Sequence, residues 1–194
     1  MRWDNLFDDL ESQLEQELSA EEVDLRAEEE RLRLARLGIR DRLYALHMAG
    51  VAPLRLSLAD GSRITVTPTT FGCDWFVGEL TEEARRAQCV VPIDGIAGVI
   101  LNRAHVLEST SVPVEESPGA LSARLGLAFV LRDLCRRRQP IELILNGGRM
   151  HGTIDRVGRD HLDLAVHEPG RPRRETEVTE YRIVRLSQLL LVRL

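Results

Sequence analysis

Lysine is absent from this chain: all 26 basic residues of its 194 are arginine. The codon usage of a GC-rich bacterial genome accounts for so uniform a bias. It therefore says nothing about guanidinium chemistry, although the two cations are not equivalent ligands for phosphate. Aromatic residues are also scarce, with four Phe, two Trp and two Tyr, which leaves few platforms for base stacking. Cysteine occurs three times, as Cys73, Cys89 and Cys135, without CxxC spacing. A scattered, odd-numbered set argues against a disulfide framework and for a reducing compartment. The opening MRWDNLFDDLE is acidic and has no apolar run, so it reads as neither signal peptide nor anchor. Nowhere does the chain approach the roughly 20 apolar residues that a membrane span requires. The expected compartment is the cytoplasm, and no membrane contact is expected.

Hydrophobic residues make up 43% of the chain and charged residues 29%, a balance that supports packed cores rather than disorder. The net charge of −5 conceals a gradient. Residues 1–50 hold thirteen acids against seven arginines, residues 51–118 nine against five, and residues 119–194 nine against fourteen. The chain thus has an acidic head and a basic tail, and any anionic partner is expected at the tail.

The sequence also says one thing twice. Pro53 leads an alternating strand with Leu54, Leu56 and Leu58, and Pro140 leads another with Ile141, Leu143 and Leu145. Each strand runs into a glycine turn, Gly61 in the first and Gly147-Gly148 in the second. Phe71-Gly72-Cys73-Asp74 is answered by Val157-Gly158-Arg159-Asp160, and each copy closes on a hydrophobic stretch, Val90 to Leu101 and Ile183 to Leu194. Self-similarity of this kind marks duplicated units. The repeat extends to preceding helices, since Leu37-Gly38-Ile39 stands before Pro53 as Leu125-Gly126-Leu127 stands before Pro140.

Upstream, Asp4 can cap a first helix whose Trp3, Phe7, Leu10 and Leu14 share a face. Ser19-Ala20-Glu21-Glu22 fits a capping box. From there a second helix is predicted to run to about residue 49, with Glu22–Arg26 and Glu29–Arg33 as i,i+4 pairs. Leu25, Leu32, Ile39 and Leu46 recur every seven residues, a stripe suited to self-packing or to dimer formation. Ser117-Pro118 predicts the start of another helix, apolar nearly all round and so buried on more than one side. The domain organisation expected is an acidic helical segment over 1–49, a first small β-barrel over 50–102, a linker over 103–117, and a helix plus second small β-barrel over 118–194.

A helix followed by Leu-x-Leu-x-x-Gly, a second strand and then hydrophobic-Gly-x-Asp-hydrophobic resembles the first motif of the Sm-like proteins, over about half the chain. The resemblance implies an α+β fold made of two tandem helix-plus-small-β-barrel units, of Sm-like or SH3-like type. It also implies a possible single-stranded RNA ligand. The pocket residues themselves do not carry over: Asp74 and Asp160 stand where the family has Asn, and the closing stretches lack its Arg-Gly pair.

Candidate chemistry is sparse. His151, Asp155, His161, Asp163 and His167 fall close together but match no zinc spacing. Asn146-Gly147-Gly148-Arg149 lacks the Lys-Ser/Thr of a phosphate loop and reads as a hairpin turn. Neither G-x-S-x-G nor a Cys–His spacing suggests a nucleophile. No catalytic residue, metal or cofactor is expected. Arg149, Arg156, Arg159, Arg171, Arg173 and Arg174 are the candidate polyanion surface, with glutamates interleaved among the last three. Trp75-Phe76 is an adjacent aromatic pair whose alternation sends one ring to the core and the other to a partner or a neighbouring helix. Leu25, Leu32 and Trp75 are accordingly the candidate partner contacts. The expected function is that of a non-enzymatic intracellular interaction or scaffold protein, using helices and barrel loops to bind a protein partner or to self-associate. The alternative is an Sm-like nucleic-acid-binding regulator that uses the arginines of the second repeat.

Overall fold

In the computed structural model, residues 22–81, 87–111 and 121–194 are described. The expected helix at Asp4, the Ser19 cap and the Ser117-Pro118 helix start lie outside them. The chain divides after Gly38 into two compact units, Met1–Gly38 and Ile39–Leu194. In the first, a helix covers 22–36 (α1). Its charged surface pairs along the axis, with Arg26 to Glu22 at 3.5 Å and Arg33 forking onto Glu30 through two 2.7 Å bonds. The single helix expected to about residue 49 is instead interrupted at Leu37-Gly38. Glycine costs an interior helical position about 1 kcal/mol relative to alanine, and here the helix stops at it.

The second unit opens with α2 (Ile39–Met48), which buries Leu43, Ala45 and Leu46. Five strands follow: β1 (Leu54–Leu58), β2 (Arg63–Phe71), β3 (Trp75–Leu80), β4 (Ala87–Pro92) and β5 (Ile96–Ile100). Then come α3 (Arg103–Glu108), inside the stretch read as a linker, and α4 (Leu127–Arg137). Five more strands complete the chain: β6 (Pro140–Leu145), β7 (Gly148–Val157), β8 (His161–Val166), β9 (Glu180–Arg185) and β10 (Leu189–Arg193). All ten join one sheet in the order β5-β1-β2-β3-β4-β10-β6-β7-β8-β9, with every pair antiparallel.

This overturns the expectation of two tandem small barrels. To close a barrel, the fourth strand of each half would have to pair within its own half. Instead β4 pairs with β10, Val90 opposite Val192 and Cys89 opposite Arg193, while β10 is also held by β6 on its other side. The sheet runs on through the joint and stays open.

The duplication itself is plain in the geometry. Positions β5-β1-β2-β3-β4 and β10-β6-β7-β8-β9 repeat the same order. Gly72 N–H donates to Trp75 O, and Gly158 N–H to His161 O, both at 2.8 Å. Ile93 N–H reaches Asp74 O, and Leu186 N–H reaches Asp160 O. The second strand of each half carries an irregularity, at Pro68/Thr70 and at Ile154/Arg156.

Each half has its own core. The first gathers Leu43 and Leu46 of α2 with Leu54, Leu56, Leu58, Val66 and Phe76. The second gathers Leu127, Leu131 and Leu134 of α4 with Ile141, Leu143, Ile154, Leu162 and Leu164. At the joint the halves exchange residues: Leu190 and Leu191 of β10 pack into the first core, and Trp75 and Val90 into the second. Helix α4 is not apolar all round. It buries one face, and Phe129 on the other is 53% exposed. No helix among the described residues is long and apolar enough to cross a membrane.

Candidate interaction surfaces

The six arginines proposed for a polyanion are placed on β7 (Arg149, Arg156), in the β7–β8 turn (Arg159) and on the β8–β9 loop (Arg171, Arg173, Arg174), and four of them face acids. Arg173 lies across Asp155 as a two-bond fork, Nε to Oδ1 at 2.7 Å and Nη2 to Oδ2 at 2.5 Å, and the pair is largely shielded from water. The carboxylate raises the Arg173 pKa, chiefly through that hydrogen bond. A planar guanidinium matched to a carboxylate in this way ties the loop to the sheet. Arg149 lies 3.7 Å from Glu142, Arg156 lies 3.8 Å from Asp163, and Arg171 lies 3.7 Å from Glu177. Arg159 and Arg174 are exposed. The local field is thus much weaker than the count of arginines suggests.

The His/Asp group resolves into separate contacts. Asp155 and Asp163 meet arginines, and His161 Nδ1 meets Asp160 at 2.9 Å. His167 is buried, with Nε2 2.9 Å from Thr153 Oγ1 and Nδ1 3.1 Å from Glu168 O. Its ring stands edge-on to His151 with centroids 5.2 Å apart. Both its nitrogens are occupied within the fold.

Trp75 is spent inside the chain. It is 5% exposed, packs in the second core, and donates its indole N–H to Leu125 O at 2.8 Å, just ahead of α4. Of the two destinations that alternation allowed, it takes the neighbouring helix. Asp74 beside it completes the contact, its Oδ1 accepting Leu127 N–H at 2.7 Å.

Leu25 and Leu32 share one face of α1, 62% and 51% exposed, and Val23 on the opposite face is 60% exposed. The seven-residue stripe does not continue from them. Ile39 and Leu46 belong to α2, and Leu46 is fully buried in the first core.

The sheet ends were not anticipated. β5 and β9 are its two outer strands. On β9, Tyr181 and Ile183 are 61% and 76% exposed. β5 reads IAGVI, with no charge and no proline. Natural edges are usually blunted by charge, proline or a bulge; β5 has only the last, a register shift at Ala97, and the uncharged run at 96–100 was the signal available in the sequence. No family model, curated protein or solved structure matches the chain.

Proposed function

We propose that this protein is a non-enzymatic, intracellular interaction scaffold that presents α1 to a helical segment of a protein partner, with the ten-stranded sheet as its rigid body. The observation that carries this reading is the exposure of Leu25 and Leu32, seven residues apart on one face of a helix that also carries the ion pairs Glu22–Arg26, Glu28–Arg31 and Glu30–Arg33. An apolar stripe rimmed by Glu and Arg is the arrangement by which an amphipathic helix recognises another. Three unpaired thiols fit a reducing compartment.

Burying a leucine is worth about 2 kcal/mol, so removing two weakens a partner by about 100-fold or more. A photo-crosslinking residue at the exposed Glu29 of the full chain, expressed in its native cells, tests this. Crosslinked partners that vanish in Leu25→Glu/Leu32→Glu and persist in Ile183→Glu support the reading. Identical crosslinks from both variants, or none from the unmodified helix, overturn it.

A further inference from the structure

We infer that the open sheet is extended head to tail by a second copy of the chain, with β9 of one molecule pairing antiparallel to β5 of the next. The template is the joint inside the molecule. There the fourth strand of the first half, β4, pairs with the fifth strand of the second half, β10. The strands left at the ends are the fifth of the first half, β5, and the fourth of the second, β9. Because the halves repeat, the two ends are the complementary members of the same pair.

The side chains follow that correspondence. Short helical turns, Ile93–Gly95 and Leu186–Gln188, come directly after β4 and β9, so Val90 corresponds to Ile183 and Cys89 to Arg182. Likewise Leu190 corresponds to Ala97, and Val192 to Val99. Val90 is 1% exposed because the joint covers it, whereas Ile183 in the same position is 76% exposed. Leu190 is 2% exposed and Val192 fully buried, whereas Ala97 is exposed and Val99 half-buried. An isoleucine left in water at a position that the fold buries in its other copy is explained by a partner strand. By the internal register, Val90 opposite Val192 and Cys89 opposite Arg193, Ile183 comes to lie opposite Val99 and Arg182 opposite Ile100. The turn that docks onto α4 has its counterpart too. Asp160, the equivalent of Asp74, is exposed at the β9 end, where it can cap the N-terminus of α2 in the next molecule.

One substitution makes this joint looser than the internal one. A Cβ on Gly95 would lie 2.9 Å from the Leu190 Cα, and Gln188 occupies the matching position. The copy-to-copy joint therefore opens wider at that end, and the association depends on concentration. The contact is heterologous, giving a ring where the rotation closes and a filament where it does not.

Sedimentation velocity of the full chain, from low micromolar to the highest soluble concentration, tests the inference. The native chain should exceed the monomer mass as concentration rises. Ile183→Glu and Ala97→Glu, both at exposed positions, should each remain monomeric with native circular dichroism. Each variant keeps one intact edge, so an equimolar mixture of the two should form a complex of twice the monomer mass and nothing larger. Leu25→Glu/Leu32→Glu should assemble like the native chain, which separates this contact from the helix surface proposed above. A native chain that stays monomeric throughout, or an Ile183→Glu chain that assembles undiminished, overturns the inference.

Discussion

Asp74 Oδ1 accepts the Leu127 backbone N–H at 2.7 Å, so a turn in the first half of the sheet caps the helix of the second. The residue at the helix boundary, Gly126, has no side chain to do this. The first N–H groups of any helix lack intrahelical acceptors, and here a residue 53 positions upstream supplies one.

Removing that carboxylate should cost about 1 kcal/mol, the usual worth of an N-terminal cap. In a chain of this size that is a fall of about 2–4 °C in Tm. Asp74→Ala should show it in thermal unfolding, and Asp74→Asn, which keeps an acceptor oxygen, should lose less. Trp75→Phe removes the neighbouring bond to Leu125 O. Because both side chains hold residues 125–127, the double variant should lose less than the two single losses added together.

Gly152 sits between two strands, opposite Ile141 on β6 and Val166 on β8. A Cβ there would overlap the Ala165 carbonyl oxygen, which is backbone and cannot swing aside. Gly152→Ala should destabilise by about 2 kcal/mol or more through overpacking. Gly147→Ala, at a turn with open space around it and no positive φ, should stay within about 0.5 kcal/mol of the native chain. Urea unfolding of the pair checks the contrast. Equal stabilities would mean that β7 and β8 can separate enough to admit a methyl group.

The duplication was legible because it is written in local chemistry. Leu54, Leu56 and Leu58, with Ile141, Leu143 and Leu145, all turn inward as their alternation requires, and Gly61 takes the positive φ of its turn. The hairpin at Asn146-Gly147 is also present, although the left-handed residue is Gly148 at φ 133°. Closure was not legible. Alternation looks the same in a barrel and in an open sheet, and what distinguishes them is the partner of β4. That partner lies about a hundred residues away, Val192 opposite Val90, and no periodicity encodes it. The aromatic pair shows the same limit. Trp75 and Phe76 do alternate, yet both are buried, because each face of β3 meets a different core. Of the candidate arginines, the acid partner of Arg173 lies 18 residues back on β7, a pairing visible only once the loop is folded over the sheet.

Thiol reactivity should follow burial. Cys89 is fully buried on β4, and loss of solvation pushes its pKa up to about 11. At pH 8 about one thiol in a thousand would then be ionised, and the thiolate is the species that alkylates. Cys73 is exposed; its pKa is also raised, by partial burial and by the Asp74 carboxylate beside it. Iodoacetamide at pH 8 should therefore label Cys73 in the native chain and reach Cys89 only after denaturation. Peptide mass spectrometry reads the order, and early labelling of Cys89 would show that the joint at β4 opens in the native state.

Binding to nucleic acid can be decided by salt. Counterion release from a single strand lowers log K by about 0.7 per phosphate contact for each decade of salt. With Arg149, Arg156, Arg171 and Arg173 each facing a carboxylate, a polyanion would have to displace those acids before it met a net positive surface. Labelled single-stranded RNA titrated at low salt should accordingly show no saturable binding. Charge reversal at the two exposed arginines, Arg159→Glu/Arg174→Glu, should change nothing in that titration. Micromolar affinity with a slope worth three or more contacts, lost in the reversed variant, would instead make the basic half of the sheet a nucleic-acid surface. The partner would then be sought at the β8–β9 loop rather than at α1.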